Sequence, residues 1–301
     1  MTLTEITTEV RNITGVDSTS VVSDAVIHDL INEAQYQLCD EANLLQGYAT
    51  RNSVVDTREY FMKDTTNTPV TDWTLVQNNR MGATNTSESL EFMTRIYRVD
   101  YDGAICQRIG INEINDIADD SSMSNITTDK AFYIHNDKLG IFPTPTEVKE
   151  IKVYYYYLPH KMFVDSTIDF SSSSNSVTMD STENVRAGMS IVGSNLAANA
   201  FVTVVVNSTT LAVKDETTGT ASNITVVFSK PEIDERYQRI LIYYPSWRVS
   251  ERLRDLNLIS YFKNEWLEQK QRVILERQSR DFFVIEQKKM RVAIILVQNG
   301  G

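Results

Sequence analysis

The chain has 301 residues, a formal net charge of −11, 42% hydrophobic residues and two cysteines, a composition that excludes disordered, collagen-like and disulfide-stapled classes. Its length admits one large or two modest domains with a real core. The charge is uneven: from Pro231 onward 13 Lys and Arg stand against 10 Asp and Glu, leaving 16 against 30 in residues 1–230. An acidic body therefore precedes a mildly basic C-terminal part, and tight binding of the body to a phosphate backbone, which needs clustered Lys and Arg, is disfavoured.

Cys39 and Cys106 sit in no metal or redox spacing, which points to a reducing compartment. No basic region precedes an apolar stretch at the N-terminus, and no run reaches the ~18 apolar residues of a membrane span. Neither a signal peptide nor a membrane partner is expected, and synthesis in cytoplasm is.

In chain order, Thr2 and Glu5 form a capping box for a helix over 3–13, with Ile6, Val10 and Ile13 on one face and Gly15 as its stop. Ser23 is placed to cap a longer helix in which Ile27, Leu30, Ile31, Ala34, Leu38, Ala42 and Leu45 stay on one side until Gly47. Tyr48 to Met62 reads as extended strands. Lys63 to Leu90 reads as a long loop around Trp73, Leu75 and Val76.

Ile96, Val99 and Tyr101 lead into Asp102-Gly103, a dipeptide that suits a primed turn, and Ile105 and Ile109 return. A short helix is expected near Asn112 to Asp119. A second hairpin follows, Phe132 to His135 and Leu139 to Phe142 around Asn136-Asp137-Lys138, and Glu150 to Leu158 supplies another strand. Its four tyrosines, Tyr154 to Tyr157, alternate between faces, so half are expected in the core and half outward.

Between Val164 and Phe228 the composition shifts to Ser, Thr, Asn, Val and Ala without helical period. Short strands at Ser176–Met179, Met189–Val192, Phe201–Val206, Thr210–Val213 and Ile224–Phe228 suit a small sandwich or barrel. Helical sequence resumes with Ser229 and Glu232 as a capping box, and Ile233, Tyr237, Ile240, Leu241, Tyr244 and Trp247 share a face. Pro245 is expected to kink that helix. After Asp255 the pattern restarts with Leu258, Phe262, Trp266 and Val273, then runs through Arg277 and Arg280 into a tail.

The tail carries the candidate binding residues. Phe282, Phe283, Ile285, Lys288, Lys289, Arg291, Val292, Ile294, Ile295, Leu296 and Val297 combine a strand-prone apolar run with three cations. Such a run calls for cover by a partner, through strand addition for burial and Lys and Arg for encounter with an acidic surface.

The expected fold class is α+β: a helical bundle with antiparallel β-hairpins in an adaptor body of residues 1–163 and 229–280, an inserted small all-β module at 164–228, and an extended C-terminal docking tail at 281–301. Catalytic chemistry is not expected. His28, His135 and His160 are far apart, no phosphate-cradling glycine loop or nucleophile elbow is present, and acidic pairs such as Asp119-Asp120 and Asp215-Glu216 are ordinary turn residues. No catalytic residue, metal or cofactor is assigned.

Four segments occur in a recognisable order: Leu30-Ile31-Asn32-Glu33-Ala34-Gln35; Phe132-Tyr133-Ile134 with Lys138 to Pro145; Ile151 to Tyr156; and Tyr243-Tyr244 with Trp247-Arg248. With them the chain resembles the head-to-tail adaptor (connector, or head-completion) proteins of tailed bacteriophages, over about residues 20–160 and 231–280. The resemblance implies a structural virion protein at the neck, not an enzyme: a dodecameric homo-oligomeric ring beneath the portal protein, above a tail or nozzle protein, continuing the channel through which double-stranded DNA passes during packaging and ejection without specific binding. The inserted module departs from the compact adaptor pattern, and fibres are a further partner for it. The alternatives are another phage tail or receptor-binding structural protein, and a carbohydrate-binding protein using the β module.

Overall fold

The computed structural model describes residues 1–16, 19, 21–62, 73–77, 84–86, 93–111, 130–186, 188–197, 200–228 and 231–298. They form a mixed α+β structure of two units.

The first unit takes in Met1–Leu44, Lys161–Asp165 and the chain from Val227 onward. Helix α1 (Leu3–Thr14) opens on the capping box, with the Glu5 amide donating to the Thr2 hydroxyl and the Thr2 amide to the Glu5 carboxylate, and ends at Gly15. In α2 (Asp24–Ala42) Ser23 occupies the N-cap position without a side-chain bond, and the helix ends at Asn43 (φ 49°), before Gly47 is reached. Asn tolerates this left-handed conformation because its short amide bonds locally. Ile27, Ile31, Ala34 and Leu38 are fully buried. On the same helix the buried Asn32 binds both backbone groups of Met162: Nδ2 donates to the carbonyl at 2.8 Å, and the amide donates to Oδ1 at 2.7 Å.

The C-terminal helices begin and end elsewhere than expected. Ser229 lies outside the described residues, and the helix expected from Pro231 starts as α3 (Glu235–Gln238), where the Arg236 amide donates to the Asp234 carboxylate. A 3-10 turn over Arg239–Ile242 follows, then α4 (Tyr243–Leu253). Pro245 gives the reason for the turn: it has no N–H for the Leu241 carbonyl, and its ring crowds that carbonyl out of α geometry. Arg254 (φ 59°) ends α4 as its left-handed C-cap, and the Asp255 carboxylate accepts from the Asn257 and Leu258 amides to start α5 (Leu256–Gln298). Phe262, Trp266 and Val273 are buried on α5. On α4 the fully buried Ser246 and Ser250 bond back to the Ile242 and Ser246 carbonyls.

The extended tail is corrected by this helix, whose backbone runs unbroken to Gln298. From Asn257 to Gln298 there is neither Gly nor Pro, and Glu, Gln, Lys, Arg and Leu are strong helix formers. A helix already nucleated and packed through Trp266 propagates through a β-branched run at small cost per residue.

The second unit, Leu45–His160 and Ser166–Val226, is built of strands. In chain order these begin with β1 (Gln46–Asn52), β2 (Glu59–Phe61), β3 (Thr74–Gln77), β4 (Thr84–Thr86), β5 (Met93–Tyr101) and β6 (Ala104–Ile105). They continue with β7 (Gln107–Arg108), β8 (Ala131–His135), β9 (Lys138–Phe142) and β10 (Glu150–Tyr157). One sheet has the order β4-β3-β1-β10-β5-β6, another β2-β9-β8-β7. β5 meets β6 across Asp102 (φ 51°) and Gly103 (φ 72°), the positive pair that a primed turn demands. β8 meets β9 across Asn136 and Asp137 alone, since Lys138 already pairs with His135.

The segment read as a long loop contributes β3 and β4, with β3 against β1 and Trp73 fully buried before it. Leu75 and Val76 earn their place in the sheet from β1, a partner that no local pattern names. The helix expected near Asn112–Asp119 lies outside the described residues.

A third sheet, in the order β13-β16-β11-β12-β15-β14, consists of β11 (Phe163–Phe170), β12 (Ser176–Thr178), β13 (Ile191–Val192), β14 (Val202–Asn207), β15 (Thr210–Val213) and β16 (Ala221–Phe228). A bridge between Ser190 and Phe201, with the Val202 amide donating to the Met189 carbonyl, joins its two ends. β11 was missing from the expected strands, although Ile168 and Phe170 show the period of two.

Candidate interaction surfaces

The residues expected to dock, Phe282 to Val297, all fall on the last stretch of α5. Their side chains lie outside the described residues. A helix satisfies its own backbone groups, so the strand-addition route has no unpaired ladder to offer. The described part of α5 already exposes apolar residues: Leu256 is 77% exposed, and Tyr261, Leu267 and Leu275 are exposed as well. Val273 is its last buried residue among those described.

Beside α5 runs a groove that sequence reading missed. One cavity of about 490 Å3 is lined by Arg236, Tyr237, Arg239, Tyr243, Arg272 and Glu276. A second of about 330 Å3 shares Arg239 and Tyr243 and adds Glu9, Ile13, Leu258 and Tyr261. Arg236 is held by Asp234 at 3.0 Å and by Glu276 at 3.2 Å, and Arg272 faces Glu268 at 3.4 Å. In sequence Arg236 and Arg239 fall between the apolar positions Ile233, Tyr237 and Ile240. What that local pattern lacked was the return of α5, which brings Arg272 and Tyr261 alongside.

Tyr244, one residue on from the groove, turns to α2. Its hydroxyl donates to Glu33 at 2.6 Å, and burial together with that carboxylate pushes its pKa up to about 12. Its ring lies 5.3 Å from Trp266. Burial, with Glu232 and Asp40 adding to it, raises the Cys39 thiol well above its ordinary value, which disfavours its thiolate form.

In the first sheet Tyr155 and Tyr157 are buried, while Tyr154 and Tyr156 are half-buried on the other face. The register between β5 and β10 slips between Tyr154 and Tyr155, leaving Tyr97 as the extra residue of a bulge, 43% exposed. Tyr97 lies 4.8 Å from Tyr156, and Tyr48 lies 5.9 Å from Tyr154. The Lys152 ammonium sits 3.9 Å from the Tyr48 ring centroid, and the Arg98 guanidinium 5.0 Å from that of Tyr154. Arg98 also donates to both oxygens of Asp100 at 2.7 Å. These cations are committed to neighbours, which makes the face an aromatic–cation layer and not an open basic patch.

Among the described residues no group of three or more His, Cys, Asp and Glu is placed to hold a metal ion, and no helix is long and apolar enough to cross a membrane. His28 is half-buried on α2, where desolvation lowers its pKa against the opposing pull of Asp24 and Asp29. Comparison with models of known protein families finds no match, and comparison with curated proteins finds none either.

Proposed function

We propose that this chain is a structural virion protein, a head-to-tail adaptor that forms a ring between portal and tail and continues the DNA channel. In this reading a helical bundle with antiparallel β-hairpins is the adaptor body, and residues 164–228 are an insertion in it. The observation that carries it is α5, a helix of 43 residues that spans ~65 Å at 1.5 Å per residue. Its last described buried side chain is Val273, and four large apolar side chains face solvent on its described part. A helix of that kind is built to be covered by other chains. The motif segments that carry the adaptor resemblance fall on α2, β8, β9, β10 and α4, on both units.

An acidic body suits a channel wall that DNA must pass without sticking, since like charge opposes phosphate binding. The reading places the protein in the virion neck after synthesis in host cytoplasm, with portal, tail or nozzle protein and further copies of itself as partners. A second reading, another tail or receptor-binding virion component, draws on β14, an end strand of the third sheet with Val204 and Val206 exposed. Negative-stain imaging of purified protein, alone and with portal, tests the proposal: rings with a central channel are expected, and monomers under both conditions overturn it.

A further inference from the structure

We propose that the arginine-lined groove beside α5 receives the acidic outer stripe of α2 from a second copy of this chain, joining copies head to tail; this rests on the ring reading above. The two cavities adjoin at Arg239 and Tyr243, which line both. Arg239 is exposed and has no ion pair among the described residues, and the Arg272–Glu268 pair is two-thirds exposed on both sides, so that pair holds its cation weakly. Among the described residues, Glu9 and Glu276 alone supply negative charge to the lining. Cationic lining in a chain of net charge −11 marks this groove as a site for carboxylates.

The same unit displays the complement. Asp29, Glu33 and Asp40 are all exposed on α2, and their spacings of four and seven residues keep them on one face of the helix. Half-buried Tyr36 lies beside them. Asp40 has no ion pair among the described residues, and Asp29 meets Lys161 at 3.0 Å with both side chains more than half exposed. Glu33 is held by Tyr244 and Gln37, which fixes the middle of the stripe.

Stripe and groove occupy different faces. Tyr244 bonds to the stripe residue Glu33 while its neighbour Tyr243 lines the groove, and consecutive residues of a helix point ~100° apart. A contact between two different faces is heterologous, so each copy keeps one free donor face and one free acceptor face, and repetition closes into a ring when the rotation permits.

The test uses the full chain, alone and on portal. Arg239→Glu with Arg272→Glu disables the groove, and Asp29→Lys with Asp40→Lys disables the stripe while sparing Glu33. Each variant alone is expected to lose every species larger than a monomer in mass photometry, with its helical circular dichroism retained. In an equimolar mixture the reversed groove of one variant faces the reversed stripe of the other and each keeps one wild-type face, so alternating assemblies larger than a dimer are expected to return. Should a charge reversal disturb folding, a chain with Arg239→Cys and Asp40→Cys is the second measure, since native Cys39 and Cys106 are buried. A short bismaleimide is expected to link it into a covalent ladder; absence of that ladder in assembled protein sinks the assignment. Variants that assemble like wild type also overturn the groove and leave the ring standing, whereas a wild type that stays monomeric alone and on portal removes both.

Discussion

Gly140 faces Tyr133 directly across the β8–β9 pair, and a Cβ there would occupy space that the tyrosine ring fills. The ring cannot yield without breaking the bond from its hydroxyl to Glu59 at 3.0 Å, which Lys138 also reaches at 3.2 Å. Gly140→Ala is expected to destabilise the fold by about 2–4 kcal/mol, the sum of overpacking and a lost charged hydrogen bond, read from the midpoint of urea unfolding. Tyr133 itself is raised to about 12 by burial first and Glu59 second, and Tyr244 reaches the same value beside Glu33. The neutral phenol is the form the fold favours. Its contribution is present in full below the unfolded value of about 10 and is lost as pH rises through about 12. Ultraviolet titration of tyrosinate is expected to show a late-ionising component that Tyr133→Phe and Tyr244→Phe each reduce; a single transition near the ordinary value would contradict it.

At the scale of the element, the described buried side chains of α5 end at Val273. Up to that residue the helix shares a core with α4 and α2 through Phe262 and Trp266, and Lys270 pairs with Glu41 at 2.7 Å. Truncation after Arg280 keeps all of these contacts. It is expected to change unfolding free energy by no more than about 0.5 kcal/mol, as for a surface change, while abolishing retention on portal-containing heads. A truncated chain that binds portal normally would remove the docking role of Phe282 to Val297, and one that unfolds would make that stretch part of the core.

For the whole molecule, the proposed reading makes the third sheet a separable insertion. Phe163 and Phe228, the first residue of β11 and the last of β16, stack with ring centroids 4.6 Å apart and planes 7° from parallel, so the entry and exit of the chain lie side by side. An insertion with adjacent ends leaves its parent connected by a short bridge. Replacing 166–226 by a short Gly-Ser linker is expected to preserve cooperative unfolding and ring formation, checked by calorimetry and negative stain. Loss of all cooperative unfolding would show that the sheet is a structural support of the rest.

The sequence by itself determined what near neighbours decide. The Thr2–Glu5 capping box, the Asp102-Gly103 turn and the alternation of Tyr154 to Tyr157 between two faces depend on residues within a few positions, and each is found where the pattern put it. Tertiary structure decided the rest. β3 is a strand because β1 lies beside it, Tyr97 is a bulge because β10 sets the register, and the groove exists because α5 returns past Arg239. The C-terminal run has the residues of a strand and the backbone of a helix, because the helix that precedes it is already held by Phe262 and Trp266. Partners distant in sequence supply those energies, and a local window contains only one side of each contact.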